Sequence, residues 1–416
     1  MTGSRTAGSR VLVLNCGSSS VKYRLLEPAT GLVLARGAVE RLGTPESRLT
    51  HRTHTGGDRA HEGPVLARDH AEALTAIRDA FTAHGPDLAT AGLAAVGHRV
   101  VHGGEQFRKP MVVDDELLGT LEKMSVLAPL HNPANIEGIR VARDTLPHVP
   151  HVAIFDTAFH ATLPEVAATY AVPREWRHRY GIRRYGFHGT SHAYVSRETA
   201  RVLGRPLEQV NSVVLHLGNG ASACAVAGGR SVDTSMGLTP LQGLVMGTRS
   251  GDVDPALPAH LCRVAGMSGQ DVDDALNRRS GLLGMAGVTD MREVIARSES
   301  GDRDATLALD VYCYRIRCYV GAYLAVLGRL DAVTFTAGVG ENSPAVRRRS
   351  LAGLEGLGIR VDPERNEAGA SGPRVISPDG APVAVLVVPT DEEREIARQS
   401  LEVAEGVEEG TDSTVR

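Results

Sequence analysis

The sequence predicts an α/β protein built from two related halves, and three observations carry that reading. A strand, a tight polar turn and a second strand open the chain at Val11 to Tyr23 (VLVLNCGSSSVKY), and the pattern restarts at Val213 with a strand, Gly218-Asn219-Gly220, a strand and Gly228-Gly229. Ala332 to Glu341 (AVTFTAGVGE) echoes Ala95 to Glu105 (AVGHRVVHGGE), each a strand running into a glycine turn, so paired segments recur at comparable places. The third is length: 416 residues suit two domains of about 100–200 residues each.

Val11 to Leu14 is short, β-branched and leucine-rich, as a buried strand should be, and it delivers Asn15 to the strand's end. Gly17 permits a close turn, and Ser18 to Ser20 can aim amides and hydroxyls at an anion near Lys22. The serines alone fit a structural hairpin turn better than a phosphate cradle, so both readings stay open here. Leu32 to Val39 reads as strand. His51 to Gly63 (HRTHTGGDRAHEG) is polar and histidine-rich; without spaced cysteines or carboxylates it reads as an exposed hairpin tip, not a metal site. Asp69 to His84 has a helical period (Ala73, Leu74, Ile77, Ala80, Phe81) that stops at Gly85-Pro86.

Leu93 to Val101 is strand, and Asp114 to Leu127 is a helix opened by acids. Val149 to Phe155 is a buried strand that presents Asp156. Trp176 to His192 reads as a polar, aromatic loop before a helix from Ala193 to Leu203. Thr306 to Leu327 is a long, largely buried helix, marked by Leu309, Cys313, Ile316, Val320, Leu324 and Leu327. A last strand at Val383 to Val388 precedes a helix from Glu392 to Glu402 and an acidic tail from Gly406.

Composition narrows the function. Lys+Arg 45 against Asp+Glu 49 gives a net charge of −4, so no basic surface advertises nucleic acid and none invites a membrane. Lysine occurs only at 22, 109 and 123, so arginine supplies the remaining cations, whose planar forks suit phosphate and carboxylate. The five cysteines (Cys16, Cys224, Cys262, Cys313, Cys318) are odd in number and lack a CxxC pair, which argues against disulfides or zinc and fits a reducing cytoplasm. MTGSRTAGSR lacks the apolar stretch of a signal peptide, and no window reaches about 18 uninterrupted apolar residues.

Neither GxxxxGK[ST] nor GxGxxG occurs, so an anion must be held another way. The turns at 216–220 (HLGNG) and 338–342 (GVGEN), with the first hairpin, would place backbone amides around a polyphosphate. Arg99 and Arg249 lie in glycine-rich loops, His188 lies between Phe187 and Gly189, and Asp156 stands at a strand end. Any one could be structural. Together they point to phosphoryl transfer, which needs positioning and positive charge around a spread-out anion.

VLVLNCGSSSVKY, GHRVVHGG, PLHNPANI, FDTAFH, RRYGFHGTSH, HLGNG, GLTPLQGLVMGTRSGDVDP, GVGEN and PTDEE resemble the motifs of the acetate kinase family, in order and over Val11 to about Arg398. The resemblance implies a duplicated ribonuclease-H-like (actin-like ATPase) fold, two domains with an interdomain active-site cleft, and a cytoplasmic homodimer. It implies reversible, direct in-line transfer from ATP to acetate, giving ADP and acetyl phosphate, with Mg²⁺ or Mn²⁺. The implied division is a flexible extension over 1–10, a first domain over 11–157 completed by a helix at 393–403, a nucleotide-binding domain over 158–392, and a flexible acidic tail over 404–416.

Residue by residue, the resemblance implies that Asn15 and Glu392 hold the metal and that Lys22 lies near the nucleotide phosphates. His216, Leu217, Gly218, Asn219, Gly220, Asp290, Met291, Arg292, Gly338, Val339, Gly340, Glu341 and Asn342 would line the nucleotide site. Arg99 would pair with the substrate carboxylate, while Val101, Leu130, Phe187 and Pro240 would enclose its methyl group. Asp156 would be the active-site acid, and His188 and Arg249 would stabilise the moving phosphoryl group. Asp391, before the glutamates of PTDEE, would add negative charge beside the metal.

A carboxylate acceptor titrates near ~4 and is already ionised at neutral pH, so Asp156 need not act as a general base; it would orient the metal or the transferring group. A propionate or other short-chain carboxylate kinase is the nearest alternative, since one methylene is worth only about 1–3 kcal/mol of discrimination. An actin-like or chaperone-type ATPase would need no carboxylate-binding arginine. An inactive scaffold would scatter these residues.

Overall fold

The structure, a computed structural model, describes residues 8–54, 57–129 and 131–412, with side chains as far as 406. These residues form two compact units. One runs to Ala158 and resumes at Asp391, and the other is Phe159–Thr390.

The first unit comprises β1 (Arg10–Cys16), β2 (Ser20–Glu27), β3 (Leu32–Glu40), β4 (Arg48–Thr53), β5 (Arg59–Pro64), α1 (His70–His84), β6 (Leu93–Val100), β7 (Met111–Val112), α2 (Asp115–Met124), α3 (Asn132–Thr145) and β8 (His151–Phe155). The described strands form one sheet in the order β5-β4-β3-β2-β1-β6-β8-β7. β1 to β5 pair antiparallel in succession, whereas β1, β6 and β8 run parallel.

Alternation along β1 and β2 sends side chains into cores on opposite faces of the sheet. Leu12, Leu14, Tyr23 and Leu25 pack with Ala73, Leu74, Ile77 and Phe81 of α1. Val11, Val13 and Leu26 pack with Ile396, Ala397 and Leu401 from the chain's last helix. That helix lies close because Gly97 on β6 has no side chain: a Cβ there would fall 2.5 Å from Ser400 Oγ. Each fully buried Leu or Ile contributes about 1.5–3 kcal/mol relative to exposure. The histidine-rich stretch is not a hairpin tip throughout. His51 is a core residue of β4, with Nδ1 2.7 Å from Tyr23 Oη and Nε2 2.9 Å from the Gly85 carbonyl oxygen.

The second unit comprises α4 (Glu165–Ala168), α5 (Arg174–Tyr180), α6 (Gly189–Val202), β9 (Asn211–Leu217), β10 (Ala221–Ala227), β11 (Arg230–Thr234), α7 (Leu257–Ala265), α8 (Gly269–Arg278), α9 (Gly281–Ala286), α10 (Met291–Glu299), α11 (Arg303–Leu327), β12 (Ala332–Thr336), α12 (Ala337–Asn342), α13 (Pro344–Leu351), α14 (Pro363–Glu367), β13 (Arg374–Val375) and β14 (Ala384–Val387). Its described sheet is β11-β10-β9-β12-β14-β13. β11-β10-β9-β12-β14 therefore repeats β3-β2-β1-β6-β8, three antiparallel strands followed by two parallel ones. This is the duplicated α/β fold that the resemblance implies, and β12 takes in its sheet the place of β6, the segment it echoes.

Three local expectations change. The stretch from Trp176 to His192 is not one loop: α5 follows Pro173, whose fixed φ suits a helix entrance, and α6 starts at Gly189. Gly338 to Asn342 do not form a glycine turn. Ala337 takes the bend in a left-handed conformation, φ 62°, and the next residues wind into α12, where Asn342 Nδ2 donates to the Gly338 carbonyl at 2.9 Å. The last helix, α15 (Glu392–Asp412), continues into the stretch expected to be tail as far as Asp412, and Leu401 and Ala404 still pack on the first unit's core.

Candidate active site

In the first unit the carboxyl ends of the parallel strands β1, β6 and β8 lie side by side, the edge at which open α/β sheets bind ligands. Asn15 is near the end of β1, Arg99 lies in β6, Asp156 follows β8 and Glu392 opens α15. The Ser18–Ser20 stretch forms a hairpin turn closed by the Gly17 N–H on the Ser20 carbonyl at 2.8 Å. Lys22 is exposed, opposite Asn15 on the ladder.

Arg99 and Asp156 form a forked pair. Nε donates to both carboxylate oxygens at 3.1 Å and Nη2 to Oδ2 at 2.7 Å, with Asp156 almost fully buried. Asp156 first, then Glu392 and Glu393, push the Arg99 pKa up against the opposing effect of burial. Arg99 Nη1 makes no hydrogen bond among the described residues, so one edge of the guanidinium stays available to a second carboxylate. Asp391 is neutralised: it accepts Arg24 Nη1 at 2.5 Å and caps α15 through the Arg394 N–H at 3.1 Å. Val101 is half-buried, with its N–H on Asn135 Oδ1 at 3.1 Å, and Leu130 lies outside the described residues.

In the second unit β9 and β12 are parallel neighbours, so the Gly218-Asn219-Gly220 turn and α12 leave the same sheet edge. Gly218, Asn219, Gly338, Val339 and Asn342 line a cavity of about 820 Å³, closed on another side by Asp290, Met291 and Arg292 at the start of α10. Clefts of roughly 300–1,000 Å³ hold small ligands. Asp290 caps α10 and pairs with Arg292 Nη2 at 2.5 Å, the bond that holds its carboxyl down to about 2.

His216, Leu217, Gly220, Gly340 and Glu341 do not line this cavity. Leu217 and Gly340 are buried, and Glu341 Oε1 accepts the Thr390 N–H at 3.2 Å. Gly247, Leu282, Ile295 and Tyr312 do line it. Sequence reasoning missed them; only Gly247 carried a signal, its place in MGTRSGD.

Gly220 faces Arg249 and His188. A Cβ built on it would stand 2.7 Å from Arg249 Nη2 and 3.4 Å from His188 Nε2. Arg249 donates Nη1 to the Pro240 carbonyl at 2.7 Å, and burial lowers its pKa. It is half-buried and makes no ion pair among the described residues. Its loop is stapled to α9 by Ser280 N–H on the Thr248 carbonyl and Leu282 N–H on the Met246 carbonyl, each 2.9 Å.

His188 is the N-cap of α6, in a left-handed conformation at φ 57°, stacked on His216 at 4.2 Å. The carbonyl of buried Phe187 before it receives His160 Nε2 at 2.9 Å. Non-glycine residues in this conformation cluster at functional sites.

Asn15, Asp156 and Glu392 offer only oxygen donors, as a hard divalent cation prefers. No group of three His, Cys, Asp or Glu that could hold a metal occurs among the described residues. Two carboxylates and an amide oxygen fit Mg²⁺, which commonly takes one or two carboxylates and completes its shell with water and phosphate.

The sequence model of the Acetokinase family matches residues 10–398. Acetate kinase of Streptomyces coelicolor is 59% identical over 395 residues, 95% of this chain and 97% of that protein. Acetate kinase of Clavibacter michiganensis is 58% identical over 396 residues, 95% of this chain and 99% of that protein. The crystal structure of Porphyromonas gingivalis acetate kinase superposes with TM-score 0.89 at 42% identity, covering 95% of this chain and 99% of that one. A propionate kinase from Francisella tularensis gives 0.88 at 39%, covering 95% and 100%.

Proposed function

The chain belongs to the acetokinase family, and from that premise we propose that it is an acetate kinase, transferring a phosphoryl group in line between ATP and the carboxylate of acetate. The observation that carries the reading is the cavity of about 820 Å³ on which the turn after β9, the start of α10 and α12 converge. In this reading the cavity takes the nucleotide, its apolar walls Met291, Leu282 and Val339 facing the base.

Arg249 and His188 then bind the oxygens of the moving group, where charge accumulates. Arg99 receives the acetate carboxylate on Nη1 while Asp156 holds its other edge, so the buried acid positions the arginine. No base is needed, because acetate is already ionised. Asn15, Glu392 and Asp156 would hold Mg²⁺, which when bound neutralises phosphate charge. Lys22 would approach the phosphates, and Val101, Phe187 and Pro240 would contact the methyl group.

A mixture of enzyme, ATP, Mg²⁺, acetate and hydroxylamine tests this, since acetyl phosphate is trapped as a hydroxamate. No acetate-dependent product refutes the assignment, and hydrolysis of ATP at one rate with or without acetate would favour an actin-like ATPase. The similarity to a propionate kinase makes kcat/KM for acetate, propionate and butyrate the second measurement. No described helix is long and apolar enough to cross a membrane. We read the enzyme as a cytoplasmic homodimer, a state that sedimentation of the purified protein decides.

A further inference from the structure

Ser222 on β10 is fully buried, stands directly across the ladder from His216, and carries its hydroxyl between two imidazoles. Its Oγ is 3.0 Å from His188 Nδ1 and 2.8 Å from His192 Nε2. The two rings are one turn apart at the start of α6, where the His192 N–H donates to the His188 carbonyl at 2.9 Å. We propose that Ser222 and His192 are positioning residues that fix His188 in the tautomer with its proton on Nε2, the ring atom that converges with Arg249 over Gly220. The inference rests on the reading that His188 and Arg249 serve the phosphoryl transfer.

The direction of the hydrogen bonds follows from an unpaired atom. His192 is 0% exposed, and burial drives its pKa far down, so its imidazole is neutral and has one N–H. His192 Nδ1 is buried without a hydrogen-bond partner among the described residues. A proton there would be an orphaned buried donor, a rarer and costlier arrangement than an unused acceptor lone pair. The proton therefore sits on Nε2 and is donated to Ser222 Oγ. Among the described residues the Ser222 proton then has one acceptor within reach, His188 Nδ1, and a ring nitrogen that accepts carries no proton, so the His188 proton sits on Nε2. Reversing the chain would return a proton to His192 Nδ1, where nothing receives it.

The ring's orientation has other supports: the stack on His216, whose Nδ1 is 2.7 Å from Ser191 Oγ, and the His160 bond to the preceding carbonyl. Ser222, which meets Nδ1 at 3.0 Å, bears instead on which nitrogen holds the proton. With the proton on Nε2 the imidazole donates to phosphoryl oxygens. The other tautomer would turn a lone pair toward an anion.

Ser222→Ala leaves both rings in place and removes the relay. Removing one donor to a developing oxyanion costs about 10²–10³ in rate, and a tautomer mixture loses part of that, so kcat for acetyl phosphate should fall about 10- to 100-fold. KM for ATP should stay within about twofold, because the lost contact acts on the transferring group. Ser222→Thr, which keeps the hydroxyl, should restore kcat to within about threefold. Added to His188→Gln, Ser222→Ala should cost nothing further, because it acts through that ring. Independently of turnover, ¹⁵N spectra of histidine-labelled protein should show His188 Nδ1 unprotonated in the wild type and a mixture in Ser222→Ala.

An unchanged kcat in a folded Ser222→Ala, the same loss in the His188→Gln background, or a wild-type proton on Nδ1 would each overturn the proposal. A wild-type enzyme that makes no acetyl phosphate would instead overturn the function, and the spectra would still decide the tautomer.

Discussion

Gly220→Ala probes the site with the smallest change available. A methyl group on Gly220 lands 2.7 Å from Arg249 Nη2, whereas ordinary carbon contacts begin at about 3.5 Å, so the guanidinium must retreat by about 0.8 Å. The His188 ring, at 3.4 Å, is only tightly touched. Gly220 is not among the glycines with positive φ, so alanine brings no backbone strain. The fold should hold, with Tm changed by less than about 3 °C. A reacting group displaced by about 1 Å can lose on the order of 10²-fold in rate, so kcat should fall about 30- to 100-fold with ATP affinity little changed. Hydroxamate formation gives kcat and calorimetric titration gives the ATP Kd. A folded variant with kcat within about threefold of the wild type refutes the placement of Arg249 at the transferring group.

Arg249→Ala should lose about 10³–10⁵ in kcat with nucleotide affinity nearly intact, as for transition-state arginines elsewhere; a loss below tenfold in steady-state assays removes it from the chemistry. Arg99→Ala removes the fork on the Asp156 carboxylate, whose side chain is 2% exposed, and should cost about 2–3 kcal/mol in urea titrations, less than a fully buried pair because Arg99 is 24% exposed. Asp156→Asn plus Arg99→Ala should recover part of that loss, and no recovery refutes the electrostatic account. Burial holds His98, His160 and His192 neutral, His160 down to about 4. The unfolded chain binds these protons below about pH 6.5 while the folded chain refuses them, so stability is full above that pH and falls toward pH 4. At pH 5 each such histidine should cost on the order of 1–2 kcal/mol, and equal urea midpoints at pH 7.5 and 5 would contradict this.

Strands were legible wherever a run of apolar residues had to be buried on both faces, as in Val11 to Leu14 or Val213 to Leu217. The repeat of glycine-closed hairpins disclosed the duplication because a tight connection leaves a local signature. Helix α5 was hidden, since REWRHRY has no apolar stripe and owes its start to Pro173. His51 was misread because an exposed hairpin and a core histidine look alike until Tyr23 and Gly85 supply its partners.

In the candidate site the motif residues were legible and their mutual arrangement was not. Nothing in the sequence told that Arg99 is already held by Asp156, that Asp391 spends its charge on Arg24, or that Leu282, Ile295 and Tyr312 wall the cavity from distant helices. Those facts depend on contacts between residues far apart in the chain.

The two units share a strand order yet arm the same edge differently. In the first, the carboxyl ends of β1, β6 and β8 present side-chain charge: Arg99 against Asp156, with Glu392 near enough to raise the arginine's pKa. In the second, β9 and β12 lead into backbone turns, two stacked imidazoles and one half-buried arginine that makes no ion pair among the described residues. In the proposed function the difference follows from what each ligand would bring. A small carboxylate needs a fixed cation, and a cation stays fixed only when its other edge is bonded, which Asp156 does. A nucleotide brings several charges and an apolar base, so amides and an open cavity suit it better than a rigid ion pair, while Arg249 must remain unpaired to meet the group in transit. A chain that hydrolysed ATP for motion alone would have no use for the Arg99–Asp156 fork, and that pair argues most directly for a carboxylate acceptor.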